Sequence, residues 1–159
     1  MTDRAIAQLQ SLFKTETALM QEFIAVLTRE ADALAAPTTN DVLHATTESK
    51  TVLAQKLSAS ATARHVIYET LGYPEKDASN SKLGHDYPVL LPDIDALAQA
   101  AQAAYQLNEA NGIMIDTHLK YNQQALNELQ LLSGMDFHLY DASGHTHFSN
   151  IAKTKIKAG

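Results

Sequence analysis

The chain has 159 residues, 45% of them apolar, with six Gly, four Pro, no Trp and no Cys, and a formal charge of -6 at neutral pH. This length suits one domain with a tail, and the lack of Cys excludes disulfides, thiolate metal sites and Cys nucleophiles. The negative charge disfavours nucleic acid as a partner, and with no bilayer-length apolar segment or signal-peptide core we expect a cytoplasmic protein without membrane insertion.

Apolar residues recur every seven positions near the start of the chain and give the first helix one broad apolar face. They are Ile6, Phe13, Met20, Leu27 and Leu34. The pattern predicts a helix over residues 3–36, which ends before Pro37. A second, poorer stripe predicts a helix over residues 41–71 that Gly72 and Pro74 terminate. Because the turn between the two helices is short, we expect an antiparallel hairpin.

Residues 72–91 contain turn-forming residues without helical periodicity, so we expect a linker there. A third helix is predicted over residues 92–133, opened by Pro92 and ended by Gly134. The predicted fold class is therefore all-α: an antiparallel helical hairpin plus one long third helix, which form an elongated, coiled-coil-like bundle over residues 1–133. Residues 134–159 are predicted to be a flexible or weakly structured tail, with two short alternating runs around a turn at residues 137–148.

The middle of the third helix carries two amides and a glycine within its apolar pattern. In heptads counted from Ile94, Asn108 falls on one seam and Asn111 on the companion seam, so we expect both to face the other helices. A buried amide needs hydrogen-bond partners, and a glycine inside a helix costs about 1 kcal/mol relative to alanine. We interpret the two Asn side chains as a device that sets helix register, and Gly112 as a position that admits a close neighbour.

Two cationic residues, Lys50 and Arg64, interrupt the apolar stripe of the second helix. They either bind the carbonyl oxygens of the two Asn side chains or extend along the bundle to its wet edge. The sequence pattern is compatible with both arrangements.

Seven histidines raise the question of a metal or catalytic site. The helical spacings typical of zinc and di-iron sites do not occur, and His145 and His147 lie in the tail without a fixed third ligand, so we expect no metal, no cofactor and no enzymatic activity. The segment that begins at His118 is loosely similar to the reactive segment of histidine phosphotransfer bundles, although His118 falls on the packing seam. A histidine phosphotransfer signalling module and a structural coiled-coil adaptor are the alternative functions.

Three segments and the helix plan resemble the FlgN family of flagellar type III export chaperones. The segments are Asn108-x-x-Asn111-Gly112, Asn122-Gln123-Gln124-Ala125-Leu126 and Leu139-Tyr140-x-Ala142-x-Gly144. The segment Glu48-Ser49-Lys50-x-x-Leu53, with Arg64 after it, looks like the second helix of that family. The resemblance covers about residues 9–148.

This resemblance implies a non-enzymatic cytoplasmic chaperone for the hook-filament junction proteins FlgK and FlgL. It would bind their C-terminal helical segments, keep them unassembled and deliver them to the export gate protein FlhA, with export ATPase-associated proteins as further partners. Long apolar stripes on the first and third helices are expected to remain exposed, and an amphipathic client helix would suit such a surface.

Two sites follow from this interpretation. Ile115, Leu119, Leu126 and Leu129, in the C-terminal half of the third helix, are the expected client-binding residues. Tyr140, which matches the tyrosine of the family's Leu-Tyr segment, is the expected contact for FlhA, because an exposed ring on a tail suits a transient partner.

Overall fold

A computed structural model describes residues 1–36, 40–73 and 80–133 of the chain. Within these ranges four α-helices follow one another as α1 (Thr2–Ala35), α2 (Asn40–Thr70), α3 (Asn80–Asp86) and α4 (Leu91–Ser133), with a 3₁₀ turn, Pro88–Leu90, between the last two. The described residues contain no strand, so the expected all-α fold with a hairpin and one long further helix is confirmed. No helix among them is both long enough and apolar enough to span a bilayer.

The chain divides into two compact units, Met1–Ile115 and Asp116–Gly159, and α4 runs through both. In the second unit only the residues up to 133 are described. The predicted tail, including its two alternating runs, Tyr140, His145 and His147, lies outside the described residues.

In the first unit, α1 and α2 pack as the expected hairpin, and two ion pairs fix their register. Glu30 pairs with Lys50, and Glu16 pairs with Arg64. Two heptads separate the glutamates on α1, and two heptads separate the cations on α2, so a single antiparallel register satisfies both pairs. The same register brings the buried residues Leu27 and Leu53 to one level.

The end of α2 is set by Gly72, the one described residue with a left-handed backbone, at φ 85°. Its N–H donates to the carbonyl of Glu69 at 3.0 Å, and the N–H of Tyr73 donates to the carbonyl of Tyr68 at 2.9 Å. These two bonds form the Schellman motif, which glycine favours because it adopts positive φ without a side-chain clash. The predicted helix stop at Gly72 is therefore confirmed.

The expectation of a linker without periodicity at residues 72–91 is wrong for its second half, which forms α3 and the 3₁₀ turn. Leu83 and Leu90 are 1% and 0% exposed and belong to the main apolar cluster, with Tyr87 packed against it. Together with Ile94 and Leu97 of α4, these positions continue one heptad pattern back through the segment. The turn-forming residues between them concealed that pattern.

The main apolar cluster closes one end of the hairpin. Its members come from every described helix of the first unit: Leu9, Phe13, Tyr68, Tyr73, Leu83, Leu90, Ile94 and Leu97. The α1 stripe is therefore largely covered, since Leu9, Phe13 and Leu27 are fully buried. The expectation that the stripe of α1 remains exposed for a client is wrong, because residues of α2, α3 and α4 pack against it.

Candidate functional site

Two carboxylates lie inside the first unit on the apolar face of α1. Glu16 is 4% exposed and Glu30 is 2% exposed, and both occupy the heptad position that Leu9 fills one heptad before Glu16. A buried carboxylate is costly unless cations and hydrogen-bond donors surround it. Sequence reasoning missed these two residues, although their spacing matches that of Lys50 and Arg64 on the next helix.

Glu30 joins three helices. Its Oε1 lies 2.6 Å from the Nζ of Lys50 on α2, and its Oε2 accepts a 2.9 Å hydrogen bond from the Nδ2 of Asn111 on α4. The same amide nitrogen donates a 2.8 Å bond to the backbone carbonyl of Leu27. We call Glu30, Lys50 and Asn111 the Glu30 clasp. It ties α1, α2 and α4 together at one level of the bundle.

Glu16 forms a second polar cluster with Arg64. The Nε of Arg64 lies 3.1 Å from Glu16 Oε1, which also accepts a 3.2 Å bond from the hydroxyl of Ser60. The Nη1 of Arg64 donates to Asn80 Oδ1 at 3.0 Å, and the hydroxyl of Tyr68 donates to that same oxygen at 2.6 Å. Because Asn80 is the first residue of α3, this cluster fastens α3 to the hairpin.

The guanidinium of Arg64 also lies over two aromatic rings, 5.4 Å from the ring centre of Phe13 and 5.7 Å from that of Tyr68. Burial raises the pKa of the Tyr68 hydroxyl, and the positive charge of Arg64 opposes that shift. Lys50 and Arg64 thus bind the α1 carboxylates, and neither was predicted to have this partner. Arginine suits this position, because its planar group bonds in several directions while it stacks on rings.

Tyr73, which follows the end of α2, makes a separate contact. Its hydroxyl donates to Asp86 Oδ2 at 2.5 Å, across the start and end of the segment that holds α3. Burial, with the hydrogen bond to Asp86, raises the pKa of Tyr73 to about 12. The ammonium of Lys82 lies 5.7 Å from the centre of the same ring.

The two amides of α4 behave differently. Asn111 is 2% exposed and bonded to two acceptors, whereas Asn108 is exposed to solvent. The prediction that both face the partner helices is therefore correct for Asn111 and wrong for Asn108. The buried seam of α4 runs through Leu97, Ala104 and Asn111, and Asn108 lies on its flank.

Gly112 does not admit a close neighbour among the described residues. A methyl group built at this position meets no atom within 4 Å. The predicted role for this glycine is therefore wrong, and nothing in the described packing requires it. In the first unit the space beside Gly112 is open.

Among the side chains of α4 up to residue 132, that of Asn111 is the last one that is buried, and from residue 116 to residue 132 every side chain except that of Gln130 is exposed. Leu119 is 62% exposed, Leu126 49% and Leu129 57%. These three predicted client-binding residues lie at helical spacings of seven and three, so they share one face of α4. Ile115, at the end of the first unit, is half-buried.

No cluster of three or more potential metal ligands occurs among the described residues. His118 is exposed rather than packed on the seam, so the predicted burial of this residue is wrong. Exposure removes the burial objection to a phosphoacceptor role and adds no support for one.

Comparison with known proteins decides the family. A family profile described as FlgN protein matches residues 1–147, which is most of the chain. The chain belongs to the FlgN family. No curated protein and no solved structure matches it. FlgN proteins are flagellar export chaperones rather than enzymes, and the match includes α4 and the segment that contains Tyr140.

Proposed function

We propose that this FlgN protein is a cytoplasmic chaperone that binds the hook-filament junction proteins FlgK and FlgL through their C-terminal helical segments. It keeps them unassembled and delivers them to the export gate protein FlhA and to export ATPase-associated proteins. Family membership supports the chaperone role. The single observation that supports the binding mode is the row of exposed leucines in the second half of α4.

The proposed client surface consists of Leu119, Leu126 and Leu129, with Ile115 at its beginning. An exposed leucine that becomes fully buried contributes about 1.5–3 kcal/mol, so three such residues supply an affinity worth several kcal/mol before the cost of ordering the client. Leucines in one helical stripe match the apolar face of an amphipathic client helix. Asn122 lies within the stripe and offers an amide to a polar group of the client.

The contacts that hold the first unit together suit this role. The Glu30 clasp fixes the hairpin register and binds α4 at Asn111, so α1 and α2 retain their packing whether or not a client is present. A chaperone of this kind does not need to refold when it releases its cargo. Release then depends on the client contact and on the gate.

For the gate contact we propose Tyr140, which matches the Leu-Tyr segment of the family. Client binding and gate docking would then use different residues, Leu126 and its neighbours for the first and Tyr140 for the second. This division allows a loaded chaperone to dock at FlhA without first losing its client.

The experiment is size-exclusion chromatography with light scattering on the full chain mixed with purified FlgK or FlgL. A stoichiometric complex is expected at micromolar concentration, and a client that lacks its C-terminal helix should not form it. A double variant, Leu126→Asp with Leu129→Asp, should weaken the complex at least tenfold. The matched control is Leu131→Asp, because Leu131 is 85% exposed and lies on the opposite side of α4.

The absence of a complex with either client at micromolar concentration would contradict the proposed function. A complex that Leu131→Asp weakens as much as the double variant would keep the function and refute the proposed surface. The same set of chromatography runs distinguishes these two results.

A further inference from the structure

A groove runs between α1 and α2 along their solvent side. It has a volume of about 580 Å³, and a smaller hollow that shares Arg29 and Ser49 with it continues the groove towards the start of α2. Both lie within the first unit, while the hydrogen bonds from Asn111 of α4 reach Leu27 and Glu30 on another side of α1. The client surface proposed above does not include this groove.

The α2 wall of the groove is a second heptad stripe on that helix, one position before the buried one. Val42, Ala45, Ser49 and Val52 of this stripe line the groove or its continuation. The same stripe runs on along α2, beyond the groove, through Ala59 and Ala63. Val42 is 40% exposed and Val52 49% exposed. Small side chains in such a stripe allow another helix backbone to approach closely, but they do not identify the occupant.

Charged residues on the two walls of the groove indicate which partner occupies it. Glu22 and Arg29 line the α1 wall, and Glu48 and Lys56 line the α2 wall. In the register set by the two buried ion pairs, Glu22 lies within one turn of the level of Lys56, and Arg29 within one turn of Glu48. Opposite charges thus stand at similar levels on opposite walls.

These charges are not neutralised within the described part of the chain. Glu22, Arg29 and Lys56 form no ion pair there, and Glu48 contacts only His44, at 3.3 Å between two well-exposed side chains. A partner that places opposite charges at the same levels against each wall would form ion pairs with all four residues.

We propose that the occupant is a second copy of this chain, in a symmetric dimer whose two-fold axis runs parallel to the hairpin. That operation preserves the level of every residue and places α1 of one copy beside α2 of the other. Glu22 then meets the second copy's Lys56, and Arg29 meets its Glu48, and each pair occurs twice. The interface is isologous, and its rows of small residues let the four helices pack closely.

The available surface is large enough for such a dimer. The stripe from Val42 to Val66 is about 36 Å long at 1.5 Å per residue, and two adjacent helices present a width of about 20 Å. The product is about 700 Å² for each copy, or about 1,400 Å² in total, which falls in the range of specific protein interfaces. The inference goes beyond the proposed function, since client binding on α4 does not require it.

Exchanged charges provide the test. In the full chain, Glu22→Lys or Lys56→Glu places like charges together twice in each homodimer, so sedimentation velocity should show at least a tenfold weaker self-association for either variant than for the wild type. Mixing the two variants should restore it, because the heterodimer pairs Lys at position 22 with Glu at position 56 in one contact and retains the original pair in the other. Lys120→Glu is the control for charge alone.

A wild-type chain that remains monomeric at 100 micromolar would overturn the proposal, and so would a mixture of the two variants that remains monomeric. Dimerisation of Glu22→Lys with wild-type affinity would overturn it as well. Far-ultraviolet circular dichroism of each variant establishes that the helices are intact, which is expected because all the changed side chains are exposed.

Discussion

Loss of the cation in the Glu30 clasp has a large predicted effect on stability. The substitution Lys50→Met leaves an unbranched side chain that is one atom shorter and removes the charge. Glu30, at 2% exposure, then retains only the amide of Asn111 as a partner. Removing one member of a buried ion pair costs about 3–5 kcal/mol.

We expect about 3 kcal/mol, at the lower end of that range, for two structural reasons. The Lys50 side chain is 22% exposed, so part of its charge is already screened by water. The hydrogen bond from Asn111 to Glu30 also survives the substitution. For a chain of this size, such a loss lowers the melting temperature by about 6–12 °C.

The double variant Glu30→Met with Lys50→Met separates the interaction energy of the ion pair from the cost of changing each residue alone. It removes both charges and leaves apolar side chains of similar volume, so it should be more stable than Lys50→Met alone. Asn111 would keep its bond to the carbonyl of Leu27 and lose the one to Glu30, which costs about 1 kcal/mol. The coupling energy from the full cycle should be at least about 2 kcal/mol.

Urea unfolding followed by circular dichroism at 222 nm measures these differences. The control is Lys14→Met, because Lys14 is exposed and has no ion pair within the described residues, and its cost should stay within about 0.5 kcal/mol. A cost for Lys50→Met equal to that of Lys14→Met would refute the assignment of Glu30 and Lys50 as a stabilising buried pair.

Three further outcomes are expected. Gly112→Ala should raise the free energy of unfolding by about 1 kcal/mol, because the added methyl meets no described atom and alanine favours the helix; a lower melting temperature would reveal a neighbour at this position. Tyr73, whose pKa is raised to about 12, should give an ionisation step near pH 12 in an absorbance titration at 295 nm, and Tyr73→Phe should remove that step. Since the folded chain holds this proton beyond the ordinary pKa of 10, stability should fall between pH 10 and pH 12, and an unchanged stability there would contradict the shift. Tyr140→Ala should leave the affinity for FlgK and FlgL unchanged and weaken docking to FlhA in a pull-down; equal loss of both would show that the residue serves the client instead.

The long helices were predictable because their signals are local and repeated. The seven-residue spacing in α1 predicts a helix, and the glycine at the end of α2 predicts where that helix stops, and both signals are recognisable from a short stretch of sequence. The α3 segment was not predictable in the same way, because Leu83 and Leu90 belong to a pattern that Gly84 and Pro88 interrupt. Tertiary packing against α1 and α4 holds that segment in place.

The buried polar residues show where a single helix pattern fails. A charged side chain at a core position is read as an interruption when its helix is considered alone, as Lys50 was. Only the pairing of α1 with α2 shows that Glu16 and Glu30 occupy matching positions. For the same reason Asn108 and Asn111 looked equivalent on adjacent seams, whereas only Asn111 lies against Leu27 and Glu30 of α1 and is buried.

Hydrogen–deuterium exchange of the full chain, with and without FlgK or FlgL, tests most directly whether the second half of α4 receives the client. Amides in residues 116–133 should exchange quickly in the free protein, because almost every side chain from residue 116 to residue 132 is exposed and little packing holds this part of the helix. In the complex they should exchange at least tenfold more slowly. Amides of α1 and α2 near the Glu30 clasp should change little. Unchanged exchange in residues 116–133 within a stable complex, with protection confined to α1 and α2, would contradict the proposed client surface.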